Sequence, residues 1–142
     1  MELVYFSLGS NLGDRRGNLL SALERMDSLL GTHYERLSSF IETPSWGFDA
    51  EPFINCAVAY RLDAEPFDVL DVCKRIEREM GRKENVEYGD DGRRIYHSRI
   101  IDIDILYFGD RKVRTERLTI PHPLIEQRDF VKIPLSEIFE SN

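Results

Sequence analysis

The stretch Arg99-Ile100-Ile101-Asp102-Ile103-Asp104-Ile105-Leu106 decides the fold, because its alternation is that of a strand and it closes the order of elements read from the rest of the chain. A strand repeats every two residues, so Asp102 and Asp104 point to one face while Ile101, Ile103 and Ile105 point to the other. Neighbouring carboxylates beside apolar surface are costly to ionise unless cations neutralise them, and Mg²⁺ takes carboxylate oxygen readily. The pair therefore reads as a metal cradle. A surface strand with its acidic face in water is the plainer alternative. It is weakened by Ile100 and Leu106, which flank the carboxylates on the same face.

Residues 3–8 read as a strand ending at Gly9. Leu19, Leu20, Leu23, Met26 and Leu30 recur at helical spacing, and Gly31 stops that helix. Residues 33–42 and 53–62 read as strands joined by a loop with Pro44, Gly47 and Pro52. Val69, Val72, Cys73, Ile76 and Met80 mark one face of a second helix, with Pro66 in its first turn and Gly81 beyond its end. Residues 99–107 are the last main strand, turned by Gly109-Asp110, and an irregular tail follows. This β-α-β-β-α-β order predicts an α+β ferredoxin-like sandwich, with helices on one face of an antiparallel sheet and an extra irregular C-terminal segment.

At 142 residues, 42% of them hydrophobic and 32% charged, the chain suits a single globular domain spanning 1–142. The N-terminus opens directly on Leu3-Val4-Tyr5-Phe6 and no apolar run is long enough for a bilayer, so a cytoplasmic location is expected. The two cysteines, Cys56 and Cys73, lie in apolar periodic segments and read as buried thiols. A net charge of −7 argues against general polyanion binding. Arg75, Arg82, Arg93, Arg94, Arg99, Arg117 and Arg128 nevertheless gather in the second half and allow a basic pocket.

Four further stretches carry possible chemistry. Gly9-Ser10-Asn11-Leu12-Gly13-Asp14 permits a tight turn with N–H groups near a helix start. It lacks the Lys-Ser/Thr of a Walker loop, and a plain connection with Asp14 near a cap fits as well. Thr43-Pro44-Ser45-Trp46-Gly47-Phe48 with Phe53-Ile54-Asn55 places aromatic rings and one amide around a stiff loop. That set suits a flat heterocycle, or simply a loop anchored in the core by Trp46. Lys83 to Ser98 is a long polar loop leading to the acidic strand, with arginines at both ends to meet phosphate oxygens, and reads as a lid. His122 is held between Pro121 and Pro123, which fixes where its ring points. A structural role and a functional one both remain open for it, and no second His or Cys stands at zinc-ligand spacing.

Together, Gly9-Ser10-Asn11, Thr43-Pro44, Phe53-Ile54-Asn55, Ile76-Glu77 with Gly81-Arg82, Arg99-x-x-Asp102-x-Asp104, Arg117-Leu118-Thr119-Ile120-Pro121-His122 and Arg128-x-Phe130 resemble the 6-hydroxymethyl-7,8-dihydropterin pyrophosphokinases of folate biosynthesis, in order from Leu3 to about Ile138. The resemblance implies a Mg²⁺-dependent transfer of the β,γ-pyrophosphoryl unit of ATP to the pterin hydroxymethyl oxygen, with release of AMP. By that likeness Asp102 and Asp104 hold two Mg²⁺ ions, and Arg82 and Arg99 steady the transferring phosphates. Glu77, Tyr96, Arg99, Ile105, Arg117, Thr119, His122 and Arg128 would line the ATP site, Tyr96 standing where relatives place a tryptophan. The pterin would sit between Phe53 and Phe130, near Gly9, with Asn55 and Thr43-Pro44 reading its polar edge and Trp46 closing over it. The implied partners are these two small molecules, bound by a monomer without nucleic acid or membrane.

Phosphoryl transfer needs positioning and charge neutralisation more than covalent help from the protein, which metals and arginines supply. Asp102 is also a candidate to take the hydroxyl proton. Two other classes share the topology. A ligand-sensing module would bind without turnover, and an RNA-binding sandwich is opposed by the acidic balance.

Overall fold

The computed structural model describes residues 1–43, 52–81, 87–88, 94–95 and 100–139. Its elements run β1 (Glu2–Ser10), α1 (Arg15–Leu30), β2 (Arg36–Leu37), β3 (Ile41–Thr43), β4 (Phe53–Leu62), α2 (Pro66–Glu79), β5 (Glu87–Tyr88), β6 (Arg94–Ile95), β7 (Asp102–Phe108), β8 (Val113–Arg114), β9 (Thr119–Ile120), a 3₁₀ turn (Ile125–Gln127) and α3 (Asp129–Ile138). The main sheet has the order β2-β4-β1-β7, with β3 extending the β2 side along β4. Every pairing in it is antiparallel. Counting β2 and β3 as one interrupted strand, the central strand β1 is flanked by β4 and β7 and each helix crosses between strands, which is the ferredoxin-like arrangement.

Alternation sorts the side chains onto two faces. Val4, Phe6 and Leu8 of β1, Cys56, Val58, Tyr60 and Leu62 of β4, and Ile103 and Ile105 of β7 meet α1 and α2 in the larger core. From the helices come Leu19, Ala22, Leu23 and Met26, and Val69, Leu70, Cys73 and Ile76. The other face carries Tyr5, Ala57, Ala59 and Leu106, covered by Val131, Leu135 and Ile138 of α3. Two alanines on β4 leave room for that helix. In β7 the register slips opposite Tyr5 and Phe6: Phe6 pairs with Ile105 and Tyr5 with Tyr107, so Leu106 is one extra residue, a β-bulge.

Helix α1 starts where Asp14 turns its carboxylate onto the Gly17 N–H at 3.0 Å. It ends at Gly31, whose N–H bonds the Asp27 carbonyl at 3.0 Å and whose φ of 77° turns the chain out of the helix. Burial pushes the Cys56 thiol up to about 12 and raises that of Cys73 as well, in keeping with inert core cysteines.

The structure corrects two expectations. Residues 33–42 are not one strand, because the ladder is half broken at Ser38: its N–H still bonds the Ala57 carbonyl at 2.9 Å, but the Ala57 N–H goes to the Ser38 hydroxyl at 2.8 Å, which donates to the Ser39 carbonyl at 2.9 Å. Side-chain bonding there replaces strand pairing. Nor is the tail irregular, since it holds the β8–β9 hairpin, the 3₁₀ turn and α3. Pro134 inside α3 reads as a helix breaker, yet Val131, Pro134, Leu135 and Ile138 form one buried stripe.

Candidate active site

The sheet register brings the candidate residues together. Gly9 near the end of β1 pairs with Asn55 on one side and with Asp102 on the other. One row therefore runs Asn55–Gly9–Asp102 across three strands, and the next but one runs Ala57–Ser7–Asp104. Directly paired residues share a face, so both aspartates stand on the α3 side of the sheet, beyond the part that α3 covers. The alternation in the sequence is reproduced.

Asn55 is buried, and its Nδ2 donates to Thr43 Oγ1 at 2.9 Å. A Cβ on Gly9 would stand 2.5 Å from Asn55 Oδ1 and 3.3 Å from the Phe53 ring. Only glycine lets the amide and the ring lie this close to β1. Nearby, Asn18 donates to Ser10 Oγ at 3.1 Å and to the Leu12 carbonyl at 2.8 Å, tying down the turn after β1. That turn is the helix connection with Asp14 as cap.

Charge concentrates at the other half of the row. The Asp104 carboxyl is pushed up to about 7, first by burial and then by the charges of Asp102 and Glu77, while Arg128 and Lys74 pull it down. The His122 imidazole is lowered from its usual value, first by burial and then by Arg128, with Asp102 opposing. Its backbone N–H bonds the Leu106 carbonyl at 3.0 Å, which seats the His122 segment against β7. The peptide bond between Ile120 and Pro121 is cis. The Arg128 guanidinium lies over the Phe130 ring at 5.6 Å, so Arg128, His122 and the aspartates form one electrostatic group beside an aromatic ring.

Among the described residues no third His, Cys, Asp or Glu joins the two aspartates in a metal-binding group. Glu77 is the near neighbour, but its Oε2 accepts the Ile103 N–H at 2.8 Å. Two adjacent carboxylates, both half-buried and one of them costly to ionise, are nonetheless a fitting donor set for Mg²⁺, which binds through one or two carboxylates and takes its other oxygens from water and substrate phosphates.

Four other expected residues have partners or packing within the protein. Glu77 is 1% exposed, held inside the protein by its bond to β7 rather than lining a surface. Ile105 is 3% exposed with its side chain in the helix-side core, so a nucleotide can reach only its backbone. Arg117 pairs with Asp71 on the exposed surface of α2 at 3.1 Å, and Thr119 bonds the Thr115 carbonyl at 3.4 Å within the hairpin region. Pro44, Trp46, Arg82, Tyr96 and Arg99 lie outside the described residues, as does most of the loop read as a lid. Lys74 joins this corner without a motif of its own. It sits three residues before Glu77 with Nζ 3.5 Å from its Oε1, and Lys-x-x-Glu on a helix was the available signal.

Fold and site together define an α+β enzyme domain of the ferredoxin-like class, with its polar residues gathered at one end of the open sheet face. The 7,8-dihydro-6-hydroxymethylpterin-pyrophosphokinase family model matches residues 5–140. The chain belongs to that family. It is 46% identical over 140 residues to the 2-amino-4-hydroxy-6-hydroxymethyldihydropteridine pyrophosphokinase of Porphyromonas gingivalis, covering 97% of this chain and 91% of that one. The enzyme of the same name from Aquifex aeolicus is 39% identical over 139 residues, covering 97% and 81%. A crystal structure of HPPK-DHPS with its substrates superposes with a TM-score of 0.67 over 96% of this chain and 40% of that one. At 14% identity the last likeness speaks for the fold alone.

Proposed function

We propose that the chain transfers pyrophosphate from ATP to the hydroxymethyl group of 6-hydroxymethyl-7,8-dihydropterin in a Mg²⁺-dependent reaction, giving AMP and the pterin diphosphate for folate biosynthesis. Family membership supports the activity, and the row Asn55–Gly9–Asp102 carries its assignment to residues. Adjacent strands lie about 4.8 Å apart, so the amide and the acid pair are roughly 10 Å apart across the sheet. A bicyclic ring held at Asn55 extends its hydroxymethyl arm over Gly9 toward the aspartates. In this reading Phe53 and Phe130 stack the ring, Asn55 reads its polar edge with its amide oriented by Thr43, and Gly9 makes the space.

Asp102 and Asp104 would hold the two Mg²⁺ ions, which would supply charge neutralisation of the phosphates and of the leaving AMP. Arg128 places positive charge beside the same corner. His122, whose imidazole is held towards its neutral form, offers a hydrogen bond to phosphate or ribose without adding a cation. Pro44, Trp46, Arg82, Tyr96, Arg99, Arg117 and Thr119 keep the parts that the resemblance gives them. The protein acts on small molecules.

Mixing the protein with MgATP and the reduced hydroxymethylpterin tests the proposal. AMP and pterin diphosphate are expected in equal amounts, and none without Mg²⁺. A folded protein that binds the pterin yet releases no AMP would be a sensor rather than a kinase.

A further inference from the structure

We propose that Glu77 is a positioning residue for the aspartate pair: its buried carboxylate pins the outer edge of β7 at Ile103, the residue between Asp102 and Asp104. The inference rests on the pyrophosphokinase reading above, and it gives Glu77 a different part from the nucleotide-lining one implied by resemblance.

Strand β7 ends the sheet order, with β1 on its inner side. The groups on the outer side of such a strand have no ladder to join and need another partner. At Ile103 that partner is Glu77 Oε2, accepting the N–H at 2.8 Å. A charged acceptor makes this a strong bond, and a buried carboxylate is retained only where it is so engaged. Glu77 is 1% exposed and stands in the apolar stripe of α2 beside Cys73 and Ile76, which packs against the helix-side face of the sheet. It reaches past that face to the strand's edge. Lys74 Nζ, 3.5 Å from its other oxygen, balances its charge from the same helix.

The geometry acts through the backbone. Fixing the Ile103 peptide fixes the directions in which the chain leaves on both sides, and so where the Asp102 and Asp104 side chains project on the opposite face. Ile103 itself is locked by its side chain in the core and by pairing with Leu8. Glu77 therefore serves the aspartates from the far side of the sheet, through the backbone of β7.

Three substitutions test this. Glu77→Gln keeps an acceptor for the N–H and removes the charge. Glu77→Asp keeps the charge on an arm too short to reach Ile103. Glu77→Leu keeps neither. Loss of an outer-shell partner typically lowers activity roughly 10–100-fold, so Glu77→Asp and Glu77→Leu are expected to lose about that much kcat while the KM for the pterin stays within about twofold; Glu77→Gln should recover most of the loss. Amide exchange at Ile103, followed by NMR in the enzyme free of nucleotide and metal, should be slow in the parent and in Glu77→Gln, and at least about tenfold faster in Glu77→Asp, as expected when a bond of about 1.5 kcal/mol is lost. Should Glu77→Leu fail to fold, the Gln and Asp pair still decides.

The inference falls if Glu77→Gln is as impaired as Glu77→Asp, if Glu77→Asp keeps full kcat, or if the change is a raised KM for ATP at unaltered kcat. It also falls if Ile103 exchange does not respond. A parent enzyme that makes no AMP would instead overturn the activity, leaving Ile103 exchange as the test of the pin.

Discussion

Two carboxylates at opposite ends of the molecule show opposite treatment. At the end of α1, Asp27 accepts the Tyr60 hydroxyl at 2.5 Å and pairs with His33 Nδ1 at 2.6 Å. His33 stacks on Tyr34 with centroids 3.9 Å apart, and Tyr34 meets the Tyr60 ring edge-on. Both oxygens of Asp27 have partners within one polar cluster, and burial together with Asp27 raises the Tyr60 phenol so that it stays a donor. At Asp104 the strongest neighbours are Asp102 and Glu77, which oppose its charge. One site is completed by the fold, and the other is left in a state that a cation relieves. On the proposed reading, that difference separates a carboxylate kept for stability from one kept for a ligand, since a site that is already satisfied has little to gain from binding.

The contrast breaks most visibly at Asp104. Asp104→Ala is expected to lower turnover by roughly 10³-fold, the size of several kcal/mol of lost charge stabilisation, with an unchanged circular dichroism spectrum. Near-normal turnover would mean that Asp104 is not a metal ligand.

A pH titration sharpens it. The Asp104 pKa in the folded chain lies above its unfolded value, so folded protein holds a proton that unfolded protein has lost between about pH 4 and pH 7. Stability without metal should therefore fall as pH rises through that window, with a limiting slope of about 1.4 kcal/mol per pH step of one. Asp104→Asn should flatten the slope in urea denaturation, and an unaltered slope would remove the repulsion from the account.

Gly9→Ala probes the junction between the two halves of the site. The added Cβ displaces the Asn55 amide, and a loss of about 1.4 kcal/mol corresponds to a roughly tenfold higher KM for the pterin, with the KM for ATP little changed. Equal effects on both substrates would deny Asn55 its part in ring recognition.

The smallest effect belongs to the satisfied end. Tyr60→Phe is expected to cost about 1 kcal/mol of stability and to leave kcat and both KM values alone. Any loss of turnover larger than the loss of folded protein would mean that the two ends communicate.

Much of this was legible along the chain because it is periodic. Helices α1 and α2, strands β1, β4 and β7, and the shared face of Asp102 and Asp104 follow from local alternation and spacing. What stayed hidden depends on partners far away in sequence. Ser38 breaks its strand only because Ala57 lies opposite, and α3 survives Pro134 because a stripe of apolar residues finds Ala57 and Ala59 beneath it. The row through Gly9 is a matter of register, which no single segment specifies. Glu77 did leave a trace: an acid in the apolar stripe formed by Val69, Cys73 and Ile76 calls for a buried partner. Which partner it finds is set by packing, and it is the amide of Ile103.

The bulge at Leu106 gives β7 a slack that its neighbour lacks. Losing one residue from the middle of β1 inverts the sidedness of everything beyond the cut, since regular strands have no spare step. Losing Ile105 or Leu106 merely straightens β7: simple alternation resumes, Tyr107 and Phe108 keep their orientation, and the acids upstream stay where they were. Single-residue deletions tolerated by related chains in this strand should therefore cluster at the bulge, and the acidic half should show none.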